Sequence, residues 1–160
     1  LPETDFPEEH SAATWYYQIS ENYLCEPVQH YGFYLTPLQN FEKGKTVFYP
    51  HGYSNYFFHP THPHELIIVS TENNKVSILN CLSGEIVRTI SKGKEYAFCN
   101  IDPVTGNYLF RNSYYVLITN ENGDELFRMR SEDTSPYLAN NILTCWAGAA
   151  INVEPYLKKP

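Results

Sequence analysis

The sequence is poor in basic residues and lacks long apolar runs. Eleven Lys and Arg stand against 18 Asp and Glu, which gives a formal net charge of −7 at pH 7. The basic residues form no stripe, so nucleic acid is not an expected partner. No apolar run approaches the roughly 18 residues that a membrane-spanning helix needs, so no membrane span is expected.

The motifs of common enzyme classes are also missing. The sequence has no G-x-S-x-G elbow, no Gly-rich phosphate loop and no HExxH pair. Catalytic groups from distant strands can converge without leaving such a motif. The sequence therefore leans against an enzyme and leaves the question open.

The four cysteines lack the CxxC spacing of redox and zinc motifs. Two disulfides in an oxidising compartment would have three possible pairings, whereas buried thiols would suit an intracellular domain. Both alternatives stay open, with an intracellular location favoured by the resemblance described below. The residues concerned are Cys25, Cys81, Cys99 and Cys145.

Aromatic residues and turn formers are abundant. Aromatics make up 16 % of the chain, and 11 Pro and 8 Gly punctuate it. Flat amphipathic rings suit pleated, half-buried surfaces, and no window carries an uninterrupted helical stripe. The composition therefore predicts an all-β protein.

The sequence between Tyr56 and Met129 contains an internal repeat: two similar copies follow each other with a period of 40 residues. A fixed period of this length is typical of an array of β units that cannot bury their apolar faces alone. Each copy predicts a four-stranded antiparallel meander. The matching pairs include Tyr56 and Tyr96, Val76 and Val116, Ile78 and Ile118, Asn80 and Asn120, and Glu85 and Glu125. The predicted strands are 56–59, 65–71, 75–80 and 85–90 in one copy and 95–101, 107–111, 114–119 and 125–129 in the next.

The repeat divides the chain into three regions. Residues 1–14 are predicted to be an acidic extended arm, and 15–134 to be three β repeats of about 40 residues, the first of them degenerate. In that first repeat, strands are predicted over 15–20, 32–40 and 46–49. The 40-residue alignment makes Leu38 the equivalent of Ile78 in the second repeat. Pro37 indicates an edge or a bulge there. Residues 135–160 are predicted to cap the same domain, and the two termini are expected to share a fourth unit.

The segment from Phe58 to Ile90 resembles one blade of a WD40-type β-propeller. Phe58-His59-Pro60 forms the Pro-rich turn, 67–71 and 76–79 the apolar strands, and Ser83-Gly84 the last turn, with Asn80 where the family carries Asp. The resemblance implies a non-enzymatic protein-binding or scaffold module with a protein partner or a larger assembly.

Two other β architectures also suit the sequence. Three repeats of four strands are compatible with a β-trefoil, and the Trp15-Tyr16 pair with a lipocalin-like barrel. Either fold would suggest a secreted protein that binds a sugar or a small apolar ligand.

A histidine cluster is the one constellation with metal-binding chemistry. His59, His62 and His64 lie within the sequence HPTHPHE. In an extended chain, His62 and His64 point to the same side, so their imidazoles can share an ion. Apart from a weak site for Zn²⁺, Cu²⁺ or Ni²⁺ here, no cofactor is expected.

Two further groups of residues bear on function. Aromatics with small polar neighbours are typical of binding surfaces, which makes Tyr49, Tyr53, Tyr56 and Phe57 a predicted ligand or partner surface. Carboxylates in turns, Asp102 among them, are expected to be solvated.

Overall fold

The chain folds into four antiparallel β-sheets that follow one another in sequence. The structure, a computed structural model, describes residues 17–28, 31–39, 46–50, 54–132, 134–145 and 148–158. Three sheets have four strands each and the last has three. The predicted all-β meander repeats are confirmed. Each sheet is a separate up-and-down unit. The described residues therefore form neither a β-trefoil nor a single closed barrel.

The strands run in sequence order across each sheet. The first sheet contains β1 (Gln18–Ile19), β2 (Tyr23–Val28), β3 (Gly32–Pro37) and β4 (Val47–Tyr49). The second contains β5 (Ser54–Phe58), β6 (Glu65–Ser70), β7 (Val76–Asn80) and β8 (Glu85–Ile90). The third contains β9 (Ala97–Ile101), β10 (Tyr108–Arg111), β11 (Tyr115–Thr119) and β12 (Glu125–Arg130). The fourth contains β13 (Tyr137–Ala139), β14 (Ile142–Thr144) and β15 (Ala150–Asn152), followed by a 3₁₀ turn at Glu154–Tyr156.

The second and third sheets repeat each other in detail. Val76 and Val116 are both fully buried, and each packs into the core that its sheet shares with the next one. The strand register shifts just after Ile78 in one sheet and just after Ile118 in the other. The 40-residue period in the sequence therefore corresponds to a structural repeat.

Each core cluster lies between two consecutive sheets. The first cluster joins Phe33 and Leu35 to Leu66 and Ile68. The second cluster joins the other face of the second sheet to the third, and a third cluster joins the third to the fourth. Among the described residues, no core cluster joins the fourth sheet back to the first.

The strands of the first sheet differ from the predicted ones in position and in their alignment with the repeat. No strand was predicted over β2, which is an inner strand and carries Pro27 opposite Phe33. The alignment of Leu38 with Ile78 was wrong, since β3 ends at Pro37 and Leu38 follows it in a turn. Pro37 thus ends an inner strand and does not mark a sheet edge. The predicted arm, 1–14, lies outside the described residues.

The sequence left thiols and disulfides open, and the structure has all four cysteines as free thiols. Cys25 and Cys81 both belong to the core between the first two sheets. Burial raises the pKa of each thiol to about 12, and the pKa of Cys99 to about 11. These three groups are protonated and unreactive at neutral pH.

A buried carboxylate connects the third sheet to the fourth. Asp102 is 0 % exposed, so the expectation of a solvated turn residue was wrong. Its Oδ1 accepts backbone N–H bonds from Val104 at 2.9 Å and Asn140 at 2.8 Å, and its Oδ2 accepts one from Asn141 at 2.8 Å. Burial alone would raise the pKa of Asp102, but these backbone donors outweigh it and lower the pKa.

Asn100 reinforces the same seam. Its side-chain amide donates to the carbonyl of Leu138 at 2.8 Å, and its Oδ1 accepts the Leu138 N–H at 3.1 Å. The turn that receives Asp102 contains Asn140 and Asn141 at φ 50° and 59°, a conformation that Asn tolerates better than most residues. Polar bonds thus fix the position of the fourth sheet.

We predict that Asp102→Asn destabilises the chain by about 2–4 kcal/mol, because an amide NH₂ then faces backbone donors that have lost a charged acceptor. Asp124→Asn, in an exposed turn, is the matched control and should cost less than about 0.5 kcal/mol. Urea unfolding followed by circular dichroism measures both. Equal losses would contradict the assigned role of Asp102.

The lowered pKa of Asp102 also predicts a pH dependence. A carboxylate with a lowered folded-state pKa contributes stability above the ordinary carboxyl range of about pH 4, and this contribution is lost as pH falls through the folded pKa. The stability difference between the parent and Asp102→Asn should therefore be constant near pH 7 and narrow below about pH 4. A difference that stays constant on acidification would count against the buried carboxylate.

Candidate functional site

A histidine-rich turn joins β5 to β6 at the seam between the second and third sheets. The N–H of Glu65 donates to the carbonyl of His62 at 3.1 Å, which closes a β-turn with Pro63 in its second position. The N–H of His59 donates to the carbonyl of Glu65 at 2.9 Å. These bonds bring the first and last residues of the turn together.

His59 is the buried residue of this turn, at 4 % exposure. Its ring lies 4.3 Å from the ring of His62 between centroids. Its Nδ1 accepts the backbone N–H of Thr61 at 3.3 Å and lies 3.2 Å from the Thr61 hydroxyl. Burial lowers the pKa of His59 to about 4, with further contributions from His62 and Arg88, so the ring is neutral at pH 7.

The third sheet approaches this turn closely at a glycine. Gly106 has φ +73°, and a Cβ at this position would lie 3.2 Å from the Thr61 hydroxyl and 3.9 Å from the His59 ring. Its N–H donates to the carbonyl of Asp102 at 2.9 Å. Glycine here allows both the turn conformation and the close approach of the two sheets.

Arg88 connects two carboxylates across the seam. Its guanidinium donates to Glu65 Oε2 at 2.6 Å and to Glu121 Oε2 at 3.3 Å. Glu65 Oε2 also lies 3.3 Å from His62 Nδ1. The two carboxylates and the one guanidinium together contribute a net negative charge to the group.

Several buried polar atoms meet at this seam without a hydrogen-bond partner in the described part of the chain. The atoms without a partner are His59 Nε2, His62 Nδ1, Arg88 Nε and Thr119 Oγ1, and the Tyr108 hydroxyl interacts with Arg88. The rings of His59 and Tyr108 are 6.0 Å apart, and Tyr108 lies directly opposite Thr119 on β10 and β11. Burial raises the pKa of Tyr108 to about 12. Buried polar atoms without partners are rare, and ordered water or an ion often satisfies them.

His64 does not join the other two histidines. Its Nδ1 lies 3.3 Å from the hydroxyl of Tyr23 in the first sheet, and the two rings meet edge to face. The expectation that His62 and His64 point to one side required an extended chain. The segment turns at Pro63, and this turn pairs His62 with Glu65 instead.

The predicted aromatic surface is divided between two seams. Tyr56 is 6 % exposed in the first core cluster, and Tyr49 packs against that cluster through Phe33. Phe57 points the other way, 6.0 Å from Phe98 of β9, and remains 37 % exposed. Tyr53 lies outside the described residues.

Sequence reasoning missed Arg88 and Tyr108 as members of this group. Both come from strands distant in sequence from the histidine turn, so no local spacing indicates them. The Pro63 turn did offer a signal, because Pro in the second position of a β-turn brings its first and fourth residues together.

We predict that Arg88→Met costs about 1–3 kcal/mol of stability, since it leaves two carboxylates at the seam without their shared donor. Arg128 is the matched control: it occupies the equivalent repeat position, and its ion pair with Glu125 is exposed. Arg128→Met should cost about 0.5 kcal/mol or less. Thermal unfolding measures both variants, and equal losses would contradict the difference between the sites.

Sequence comparisons identify no relatives. No family model matches the chain, and no curated protein matches it. Solved structures do match by fold, at sequence identities too low to carry function.

Three of these structures illustrate the likeness. BamB from Moraxella catarrhalis aligns with a TM-score of 0.55 and 16 % identity, covering 79 % of this chain and 38 % of its own. The propeller domain of Cps50 (Swd1) from Myceliophteria thermophila aligns with a TM-score of 0.55 and 11 % identity, covering 81 % and 50 %. The computationally designed Ika4 protein aligns with a TM-score of 0.60 and 10 % identity, covering 90 % and 92 %.

The chain spans about a third to a half of the natural proteins BamB, Cps50 and apo AztD from Citrobacter koseri, at 38 %, 50 % and 32 % of their chains. Its sheets, each a short antiparallel meander packed face to face with the next, are arranged as in those propellers. The fold is of the β-propeller type.

Proposed function

We propose that the chain is a non-catalytic protein-interaction module that assembles through the outward faces of its first and last sheets. The observation that supports this is the row of sheets: three core clusters join four sheets, and none of the core clusters among the described residues joins the fourth sheet to the first. A propeller-type sheet needs a neighbour on each side to cover its apolar faces.

The outward face of the first sheet is apolar. Phe33 and Leu35 point to the second sheet, so Tyr34 points away from it, and its ring lies 5.0 Å from that of Phe48. Phe48 is 37 % exposed and Ile19 is 71 % exposed. We call the strand residues on this side the first end face: Ile19, Leu24, Glu26, Val28, Gly32, Tyr34, Thr36 and Phe48.

The outward face of the last sheet also carries apolar side chains. Leu138 and Leu143 are fully buried against the third sheet. Strand alternation therefore turns the flanking residues away from it, with Tyr137 at 51 % exposure. We call this set the last end face: Tyr137, Ala139, Ile142, Thr144 and Ala150.

The occupant that suits these faces is another sheet of the same type. Both faces carry mainly apolar side chains and little charge. Glu26 is the one charged side chain among the strand residues on these two faces. A second copy of this chain supplies such a sheet, and its binding would pair a first end face with a last end face. No helix in the described part of the chain is long and apolar enough to cross a membrane.

The test is self-association of the purified chain. We expect sedimentation equilibrium to show reversible association, and Phe48→Glu to raise the dissociation constant by at least about tenfold, because a carboxylate then faces an apolar sheet. Ile142→Glu on the other face should have the same effect.

Leu82→Glu is the matched control. Leu82 is 71 % exposed in the turn between β7 and β8 and belongs to neither end face. A monomeric parent chain at all concentrations, or an equal effect of Leu82→Glu, would contradict the proposal.

A further inference from the structure

We propose that His59, His62 and Glu65 form a binding site for a divalent transition-metal ion of the Zn²⁺ class. One ligand atom from each residue, a ring nitrogen or a carboxylate oxygen, lies within 4.8 Å of the other two. Two imidazoles and one carboxylate form a recognised ligand set for first-row metals. The site is independent of the proposed assembly role, since it lies at an inner seam.

The buried member of the set has the atom that an ion requires. The His59 side chain is only 4 % exposed, and its Nε2 has no hydrogen-bond partner in the described part of the chain. Its other nitrogen, Nδ1, faces the Thr61 hydroxyl at 3.2 Å. The Thr61 backbone N–H donates to Nδ1 at 3.3 Å, so Nε2 carries the proton of the neutral ring before an ion binds, and it becomes a ligand when the ring changes tautomer and Nδ1–H donates to the Thr61 hydroxyl. Metal-bound histidines are usually held by such a partner.

Glu65 supplies the negative charge and is held in place. Its described contacts, with Arg88 at 2.6 Å and His62 at 3.3 Å, both use Oε2, so Oε1 is available to an ion among the described residues. Arg88 orients the carboxylate as an outer partner. Glu121 offsets the charge of Arg88 at 3.3 Å, so the surroundings retain a net negative charge that favours a cation.

His62 is the third ligand, and its side chain can move to complete a tetrahedral coordination shell. Ligands on a tetrahedral zinc ion stand about 3.4 Å apart, so the three atoms must approach one another slightly. The His62 side chain is 41 % exposed and can rotate toward the ion, whereas His59 is fixed by packing. Its exposure also leaves the fourth position open to water.

The turn itself is rigid before an ion binds. Pro60 and Pro63 restrict the backbone on both sides of Thr61 and His62. Two backbone hydrogen bonds hold the ends of the turn: the N–H of Glu65 donates to the His62 carbonyl, and the N–H of His59 donates to the Glu65 carbonyl. All three ligands therefore sit on one short segment that loses little conformational entropy on binding.

The donor set also indicates the class of ion. Two nitrogens and one carboxylate oxygen suit Zn²⁺, Co²⁺, Ni²⁺ or Cu²⁺. Ca²⁺ and Mg²⁺ prefer a shell of oxygens and should not bind here.

The test measures thermal unfolding of the untagged chain with and without Zn²⁺, after treatment with a chelator. At a hundredfold excess of Zn²⁺ over its dissociation constant, we expect a rise in Tm of about 5–10 °C. Mg²⁺ at the same concentration should give no rise. Co²⁺ should bind one per chain and give the visible absorption bands of a low-coordinate site.

Two variants make the result specific. His62→Ala removes an exposed ligand without disturbing the core, so it should fold and lose both the Tm rise and the Co²⁺ bands. His64→Ala is the matched control, because His64 lies in the same turn but contacts Tyr23, and it should keep both. No Tm rise in the parent, a rise that survives in His62→Ala, or a rise lost equally in His64→Ala would overturn the proposal.

Discussion

The structure depends on the burial of both faces of each inner sheet. On β6, Leu66 and Ile68 pack against the first sheet, while Ile67 and Val69 pack against the third. Burial of one such side chain contributes about 1.5–3 kcal/mol. A sheet that is apolar on both faces cannot be stable in water alone, so each unit requires the next. The same constraint leaves apolar faces at the two ends of the row.

The three seams share this apolar packing but differ in their polar groups. The first contains a mostly aliphatic and aromatic core with two buried thiols. The second adds the histidine turn, Arg88 and their unpartnered atoms. The third is fixed by Asp102 and Asn100, which bind the backbone of the fourth sheet. Packing thus builds the row, and the polar groups give each seam its own chemistry.

Much of the fold could be predicted from the sequence where the repeat is regular. From β5 to β12 the predicted strands match the observed ones to within two residues, because alternation and turn signals recur at one period. β2 was not predicted, and its Pro27 is an unusual residue for an inner strand. The fourth sheet was expected as a capping segment that shares a fourth unit with the N-terminus, and its strands were not predicted one by one because each has just three residues.

The candidate site was harder to predict. Histidines in the β5–β6 turn were visible in the sequence, but their partner was misjudged because an extended chain was assumed. Asp102 was misjudged for a different reason. The Asp-Pro-x-x-Gly pattern is a sound turn signal, and its burial depends on Asn140 and Asn141, 38 and 39 residues away. Such contacts leave no local pattern.

The central claim is that inner sheets are covered on both faces and end sheets on one. Amide hydrogen exchange measured strand by strand tests it directly, because protection follows local stability. The account predicts the slowest exchange in β6, β7, β10 and β11 and faster exchange in β3 and β14. Uniform protection across all four sheets, or the slowest exchange in an end sheet, would contradict it.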